Sequence, residues 1–176
     1  MGKYKSQSDL HFYFHEYFFK LRDFFFPRIQ ILKEADIKPG FCVVDYGCGS
    51  GSYIASLSKM VENRGKVLAV DAHPLAIKKV KTMILTKQLK NVETICSDCE
   101  TGLPDNSIDL VLLYDVFHAL TDPAAVLGEL YRILKPNGIL SFQDHRAGNK
   151  TITDSLIKQN FQLLTKNKKT YTFQKV

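Results

Sequence analysis

Acidic residues close three successive apolar runs in this chain. Asp45 and Asp71 end the first two, and Asp98 stands just past the third. Asp45 opens the stretch Asp45-Tyr46-Gly47-Cys48-Gly49-Ser50-Gly51-Ser52. Glycines at alternate positions let a ligand approach the backbone closely, or they simply make a tight turn. The pattern is a poor phosphate cradle. Its spacing is G-x-G-x-G, Ser52 stands where a dinucleotide fingerprint would place its last glycine, and no lysine follows as in a phosphate-binding loop. A carboxylate beside the turn repels pyrophosphate and suits an ammonium or sulfonium group.

Asp71 stands 24 positions after Gly47, close to the spacing of about 20 at which an acid meets ribose hydroxyls in nucleotide-binding sheets. Each such bond to a charged acceptor is worth about 1.5–3 kcal/mol. The plain alternative is that Asp71 caps the helix opening at Pro74. Asp98 could accept from an adenine amino group, or cap a local turn. A ribose, an adenine and a cationic end without phosphate together describe S-adenosylmethionine.

The elements that must carry these residues alternate. Apolar strands are expected over residues 41–45, 66–70, 92–96, 108–113 and 139–143, with helices between them. Inward faces read as Ile54, Leu57, Met60 and Val61, then Ile77, Val80 and Ile84, then Val126, Leu127, Leu130, Tyr131 and Leu134. Asp122 before Pro123 is a helix cap, and Pro136-Asn137-Gly138 is a turn. A helix over about residues 153–159 precedes two strands, 161–166 and 170–175, joined as a hairpin across a lysine-rich turn. This order predicts an α/β fold, a doubly wound and mostly parallel sheet, whose ligands sit beyond the carboxyl ends of the strands.

The chain has 176 residues, 45% of them apolar, and fits one domain. No apolar run approaches the ~18 residues of a membrane span, and the N-terminus lacks the apolar core of a signal peptide. Four cysteines, with Cys42 and Cys96 inside apolar runs, read as buried free thiols in a reducing cytoplasm. Cys96 and Cys99 are formally C-x-x-C, but one isolated pair is a weak metal signal, and no metal site is expected. The net charge of +6 comes from dispersed lysines without interleaved aromatics. That pattern argues for solvated faces over a nucleic-acid surface.

With these residues in place, the chain resembles the class I S-adenosylmethionine-dependent methyltransferases, particularly the broad small-molecule "type 11" group. VVDYGCGSGSYI resembles the family's first motif and VLAVDAHPLAIKKVK its second. SDCETGLPDNSIDLVLLYDVFHAL and LGELYRILKPNGILSF resemble the later strands and their connections. The similarity runs from about Ile31 to the C-terminus. It implies seven strands, a Rossmann-like methyltransferase fold, with one antiparallel strand inside the closing hairpin. It implies that Asp45, Gly47, Gly49 and Gly51 border the methionine end of the cofactor. Asp71 would take the ribose with Ala72 against the adenine, Asp98 and the Cys99 backbone would reach the adenine edge, and Tyr114 would border the methionyl group. The acceptor is expected to be a small apolar or aromatic metabolite. The chain has Tyr114-Asp115-Val116-Phe117 where amino-group methylases of DNA carry a Pro-Pro-Tyr motif, and no cysteine follows a proline as in cytosine-C5 enzymes.

Tyr114, Asp115, His118, Asp144 and His145 lie near the expected rim, and His118 and His145 are the candidates for a base near neutral pH. Either histidine could instead be structural. A non-catalytic cofactor-binding module and an RNA methyltransferase are the rival readings. Residues 1–30 are expected to form an aromatic-rich helical segment, with Leu10, Phe14, Tyr17, Phe18, Leu21 and Phe25 at helical spacing. It is expected to close over the site, to pack on the sheet, or to join two copies as a homodimer, with residues 31–176 as the cofactor-binding core. If it is a lid, deleting residues 1–26 abolishes methyl transfer and leaves cofactor affinity, read by calorimetry, largely intact. Parallel loss of both would mark the segment as structural.

Overall fold

The computed structural model describes residues 29–146 and 149–176. The N-terminal aromatic segment, with the lid and homodimer expectations attached to it, lies outside them. The described chain opens with a helical turn α1 (Ile29–Leu32) that tightens into a 3₁₀ turn (Lys33–Ala35). There follow β1 (Cys42–Tyr46), α2 (Ile54–Val61), β2 (Lys66–Asp71), α3 (Pro74–Lys87), β3 (Val92–Cys96) and β4 (Ile108–Tyr114). After a second 3₁₀ turn (Phe117–Ala119) come α4 (Pro123–Ile133), β5 (Leu134–Gln143), α5 (Asn149–Lys158), β6 (Phe161–Lys166) and β7 (Tyr171–Lys175).

The seven strands form one sheet in the order β3-β2-β1-β4-β5-β7-β6. The first five are parallel, and β7 runs antiparallel between β5 and β6. Strand alternation sorts the core into two layers. Val44, Tyr46, Val70, Leu113 and Phe142 face α4 and α5, meeting Val126, Leu127, Leu130 and Leu156. Val43, Val67, Leu110, Leu112 and Tyr114 face α2 and α3, meeting Ile54, Leu57, Val61, Ile77 and Val80. Helices therefore cover both faces. The register sets Tyr46 beside Val70 and Leu113, and Tyr114 beside Gln143. The carboxyl tips of β1, β4 and β5 accordingly lie side by side.

Helix starts follow the chemistry of their caps. Asp122 Oδ1 accepts from Ala125 N at 3.0 Å, ahead of Pro123. At α3 the cap is His73, whose Nδ1 accepts from Leu75 N at 3.2 Å. Asp71 does not cap that helix. Away from the tips, Glu34 Oε2 accepts from Lys169 N, Thr170 N and Thr170 Oγ1, each at 3.0 Å, and so fixes the β6–β7 turn.

Three expectations change. Pro136-Asn137-Gly138 is not a free turn. It lies within β5, where the register against β4 shifts between Ile108 and Leu110, and Asn137 absorbs the irregularity at φ 62°. Leu134 consequently belongs to the strand. The helix α5 begins at Asn149, earlier than its apolar pattern suggests. Cys96 is exposed and Cys42 only half-buried. Cys96 is the last residue of an edge strand, where its thiol lies 3.9 Å from Ala72 O. Among the described residues no helix is long and apolar enough to cross a membrane, and no cluster of three potential metal ligands occurs.

Glu129 on α4 ties down the segment after β3. Its Oε1 accepts from Thr101 N (2.8 Å) and Thr101 Oγ1 (2.6 Å), while Arg132 Nε donates to Oε2 at 2.7 Å. The Arg132 bonds, with help from Thr101, hold the Glu129 carboxyl down at about 2. An acid depressed in the folded state stabilises fully above its unfolded pKa of about 4.3 and loses that contribution as pH falls towards 2. Glu129→Gln is expected to lower the thermal midpoint at pH 7. The gap to the parent should close between about pH 5 and pH 2, and a gap constant with pH would contradict this assignment.

Candidate functional site

The glycine turn is clamped from below. Gly47 N and Cys48 N both donate to Val70 O, at 2.8 and 3.0 Å. From above, Asp71 spans two loops, because its Oδ2 accepts from Gly49 N and its Oδ1 from His73 N, each at 2.8 Å. Burial pushes the Asp71 carboxyl up, and these two main-chain donors oppose the shift. Gly47 and Gly49 take φ 77° and 53°, the left-handed region where glycine is favoured. At Gly47 space adds a second demand, since a Cβ there would lie 2.6 Å from Val116 Cγ2.

A cavity of about 730 Å³ opens at these tips, within the size range of small-molecule sites. Tyr46, Gly47, Asp71 and Ala72 form one side, and residues 97–100 form the wall beyond β3. Val116, residues 120–122 and the first turns of α4 close it. Tyr46 donates its hydroxyl to Asp98 O at 3.1 Å, joining floor to wall. Among the described residues the lining includes four acids, Asp71, Asp98, Glu100 and Asp122, and no lysine or arginine. Such a surface disfavours phosphates and favours a cation with donor hydroxyls.

Two histidine–carboxylate pairs cross between the tips of β4 and β5. His118, after β4, places Nδ1 at 2.9 Å from Asp144 Oδ2, and Asp144 also accepts from His118 N (3.0 Å) and Arg146 N (2.9 Å). The Asp144 side chain is wholly buried and that of His118 is a quarter exposed. His145, after β5, places Nδ1 at 2.8 Å from Asp115 Oδ1 and is mostly exposed. Asp115 sits at φ 55° and donates its N–H to Gln143 O at 2.8 Å.

The methyltransferase-domain family matches residues 37–175. The chain belongs to this family. A solved S-adenosylmethionine-dependent methyltransferase from Aquifex aeolicus superposes with a TM-score of 0.76 at 29% identity, covering 87% of this chain and 90% of that one. A demethylmenaquinone methyltransferase from Staphylococcus saprophyticus is 34% identical over 117 residues, 64% of this chain and 48% of its own. A ubiquinone/menaquinone biosynthesis C-methyltransferase from Shewanella frigidimarina is 31% identical over 117 residues, 65% of this chain and 47% of its own. The chain spans about half the length of these two relatives or less, and 32% of an uncharacterised Streptomyces fradiae transposon protein to which it is 33% identical.

The family's cofactor is S-adenosylmethionine, and the cavity fits it by the chemistry of its donors and acceptors. Acids with no lysine or arginine among the described lining residues suit a sulfonium and an ammonium, and Asp71 can accept from ribose hydroxyls beside the main-chain bonds it already makes. Of the residues singled out in the sequence, Gly47, Asp71, Ala72, Asp98 and Cys99 line the cavity. Asp98 is exposed at its rim. The Cys99 N–H is directed to Ser97 Oγ at 3.2 Å, and burial raises the Cys99 thiol. Gly49 sets the turn through Asp71. Gly51 packs against α3, where a Cβ would come within 3.1 Å of Val80 Cγ2. Asp45 is buried on the other face of β1 from Tyr46, and its charge helps to raise the Cys48 thiol and the Tyr114 phenol. Tyr114 is also buried on that face, with its hydroxyl 2.6 Å from Ser141 Oγ and its ring edge-on to Tyr53. His118 and His145 stand at the neighbouring tips.

Sequence reasoning missed Tyr46, Val116, Ala125 and Val126, which shape the cavity but read as ordinary core. Asp71→Asn removes the charge and one of two main-chain acceptors. We expect cofactor affinity to fall by about 10-fold or more, as for the loss of charged hydrogen bonds, with a lower thermal midpoint. A variant that is less stable yet binds cofactor unchanged would assign Asp71 to the turn alone.

Proposed function

We propose that this chain transfers a methyl group from S-adenosylmethionine to a small apolar or aromatic acceptor. The observation that carries the reading is the acid-lined cavity, without lysine or arginine among its described residues, at the tips of β1 to β4. The names of the relatives, methylases of demethylmenaquinone and of ubiquinone/menaquinone biosynthesis, support an aromatic acceptor. When bound, S-adenosylmethionine supplies a methyl on a sulfonium, which is displaced in line with the S–C electron pair returning to sulfur. Holding two reactants in line contributes up to about 7–11 kcal/mol, and rigid tips suit that task.

His118 is the base in this reading. Its Nδ1–H is directed at Asp144, so in the neutral ring the lone pair is on Nε2, which makes no hydrogen bond among the described residues. Asp144 holds the ring's tautomer and angle and is a positioning residue. An acceptor O–H, N–H or acidic C–H gives up its proton to Nε2 as the new bond to methyl forms.

Incubating the full chain with S-adenosylmethionine and demethylmenaquinone or smaller aromatic acceptors, with products read by mass spectrometry, tests the proposal. His118→Ala is expected to lower kcat by about 10²-fold or more while cofactor binding is unchanged. Asp144→Asn should lower kcat in the same direction through the wrong tautomer. Tight cofactor binding without transfer to any acceptor would assign a non-catalytic module instead. Salt-sensitive binding and methylation of RNA would replace the small acceptor.

A further inference from the structure

The fold gathers lysines and aliphatic side chains that the sequence spreads over two elements. β6 is the outermost strand beyond β7, and α5 packs along it. At this edge three large aliphatic side chains stand in solvent, Ile157 on α5 at 55% exposure and Leu163 and Leu164 on β6 at 38% and 47%. Lys158, Lys166, Lys168 and Lys169, on the same two elements and the turn after β6, are all exposed. Among the described residues none of the four forms an ion pair. Lys166 Nζ instead lies 5.4 Å over the Tyr171 ring. From Ser155 to Val176 the chain carries five lysines and no aspartate, glutamate or arginine. The fifth, Lys175, is engaged elsewhere, donating to Asn106 Oδ1 and Leu134 O, each at 2.8 Å. Two acids border the patch. Asp154 precedes Lys158 by one helical turn, and Glu34 is occupied by the β6–β7 turn. The edge is therefore both apolar and net positive.

A second copy of this chain fits such an edge poorly. Pairing β6 with β6 would set lysines against lysines, and the register shift between Leu163 and Thr165 breaks the ladder that a new strand would extend. A nucleic acid matches the charge but gains little from aliphatic tips, since bases stack on aromatic rings. An anionic lipid surface answers both features. Its headgroup boundary takes the isoleucine and leucines, and its phosphates meet the lysines. We propose that the β6–α5 edge docks the protein on an anionic bilayer surface without crossing it. The β6–β7 turn stands at the carboxyl end of β5, because Tyr171 is in register with Phe142. The lysine turn is thus at the end of the sheet where the cavity opens. This docking is independent of the chemistry proposed for the cavity.

The test is cosedimentation of the full chain with phosphatidylcholine vesicles, with and without one-third phosphatidylserine, at low and high salt. We expect binding to the mixed vesicles that weakens with salt, and none to pure phosphatidylcholine. The triple variant Lys166→Gln, Lys168→Gln, Lys169→Gln should lose about 10²-fold in affinity, at about fivefold per lysine near such a surface. Leu163→Ser with Leu164→Ser should lose about tenfold or more. A charge-matched control on α3, beside the opposite edge strand β3, is Lys78→Gln, Lys81→Gln, Lys87→Gln, and it should keep most of the affinity. All these side chains are exposed, so thermal midpoints should stay near the parent's. Should the leucine variant unfold, the two lysine variants decide alone. A parent that ignores the mixed vesicles overturns the proposal, whether a dimer split by Leu163→Ser or residues 1–28 of the chain then prove to cover the edge. Equal loss in the two lysine variants also overturns it, as does tighter binding to polyuridylate that the leucine substitutions leave unchanged.

Discussion

One carboxylate joins the parts of this site. Asp71 ends β2, and its two oxygens take the N–H of Gly49 from the β1 turn and the N–H of His73 from the start of α3. Without such acceptors the left-handed turn at Gly47 and Gly49 would leave donors unsatisfied beside a cavity. The same carboxylate lines that cavity. Shaping the loop and presenting a charge are therefore one act. Burial works against ionisation, and the two main-chain donors work for it.

The other acids extend this logic around the rim. Tyr46 binds the Asp98 carbonyl and leaves the Asp98 carboxylate at the edge. Glu129 secures the segment behind it through Thr101 and Arg132. The arginine that balances Glu129 sits behind the wall and is absent from the cavity lining, so the interior keeps its acidic character. On the far side, the crossed pairs His118–Asp144 and His145–Asp115 lace β4 to β5. Each carboxylate fixes one imidazole.

Much of this was legible in the sequence. Alternating apolar runs and their caps pointed to the parallel sheet, and the resemblance supplied the inserted antiparallel strand. Asp71 and Asp98 border the cavity, as acids at strand ends suggested, whereas Asp45 is buried on the opposite face of β1. The apolar walls were hidden, since Val116 and Val126 look like any core residue until the fold turns them towards Gly47. Cys96 read as buried because nothing in a sequence says which strand lies at an edge. His73 displaced Asp71 as the cap of α3, which a spacing rule could not distinguish.

Selection by charge is the central claim: an acid-bordered glycine bend should accept a cationic adenosyl compound and refuse a phosphorylated one. Calorimetric titration of the purified chain with S-adenosylmethionine, ATP and NAD tests this directly. Saturable binding of S-adenosylmethionine alone at one site per chain is the predicted result. Binding of ATP or NAD in competition with it, or in its place, would contradict the claim.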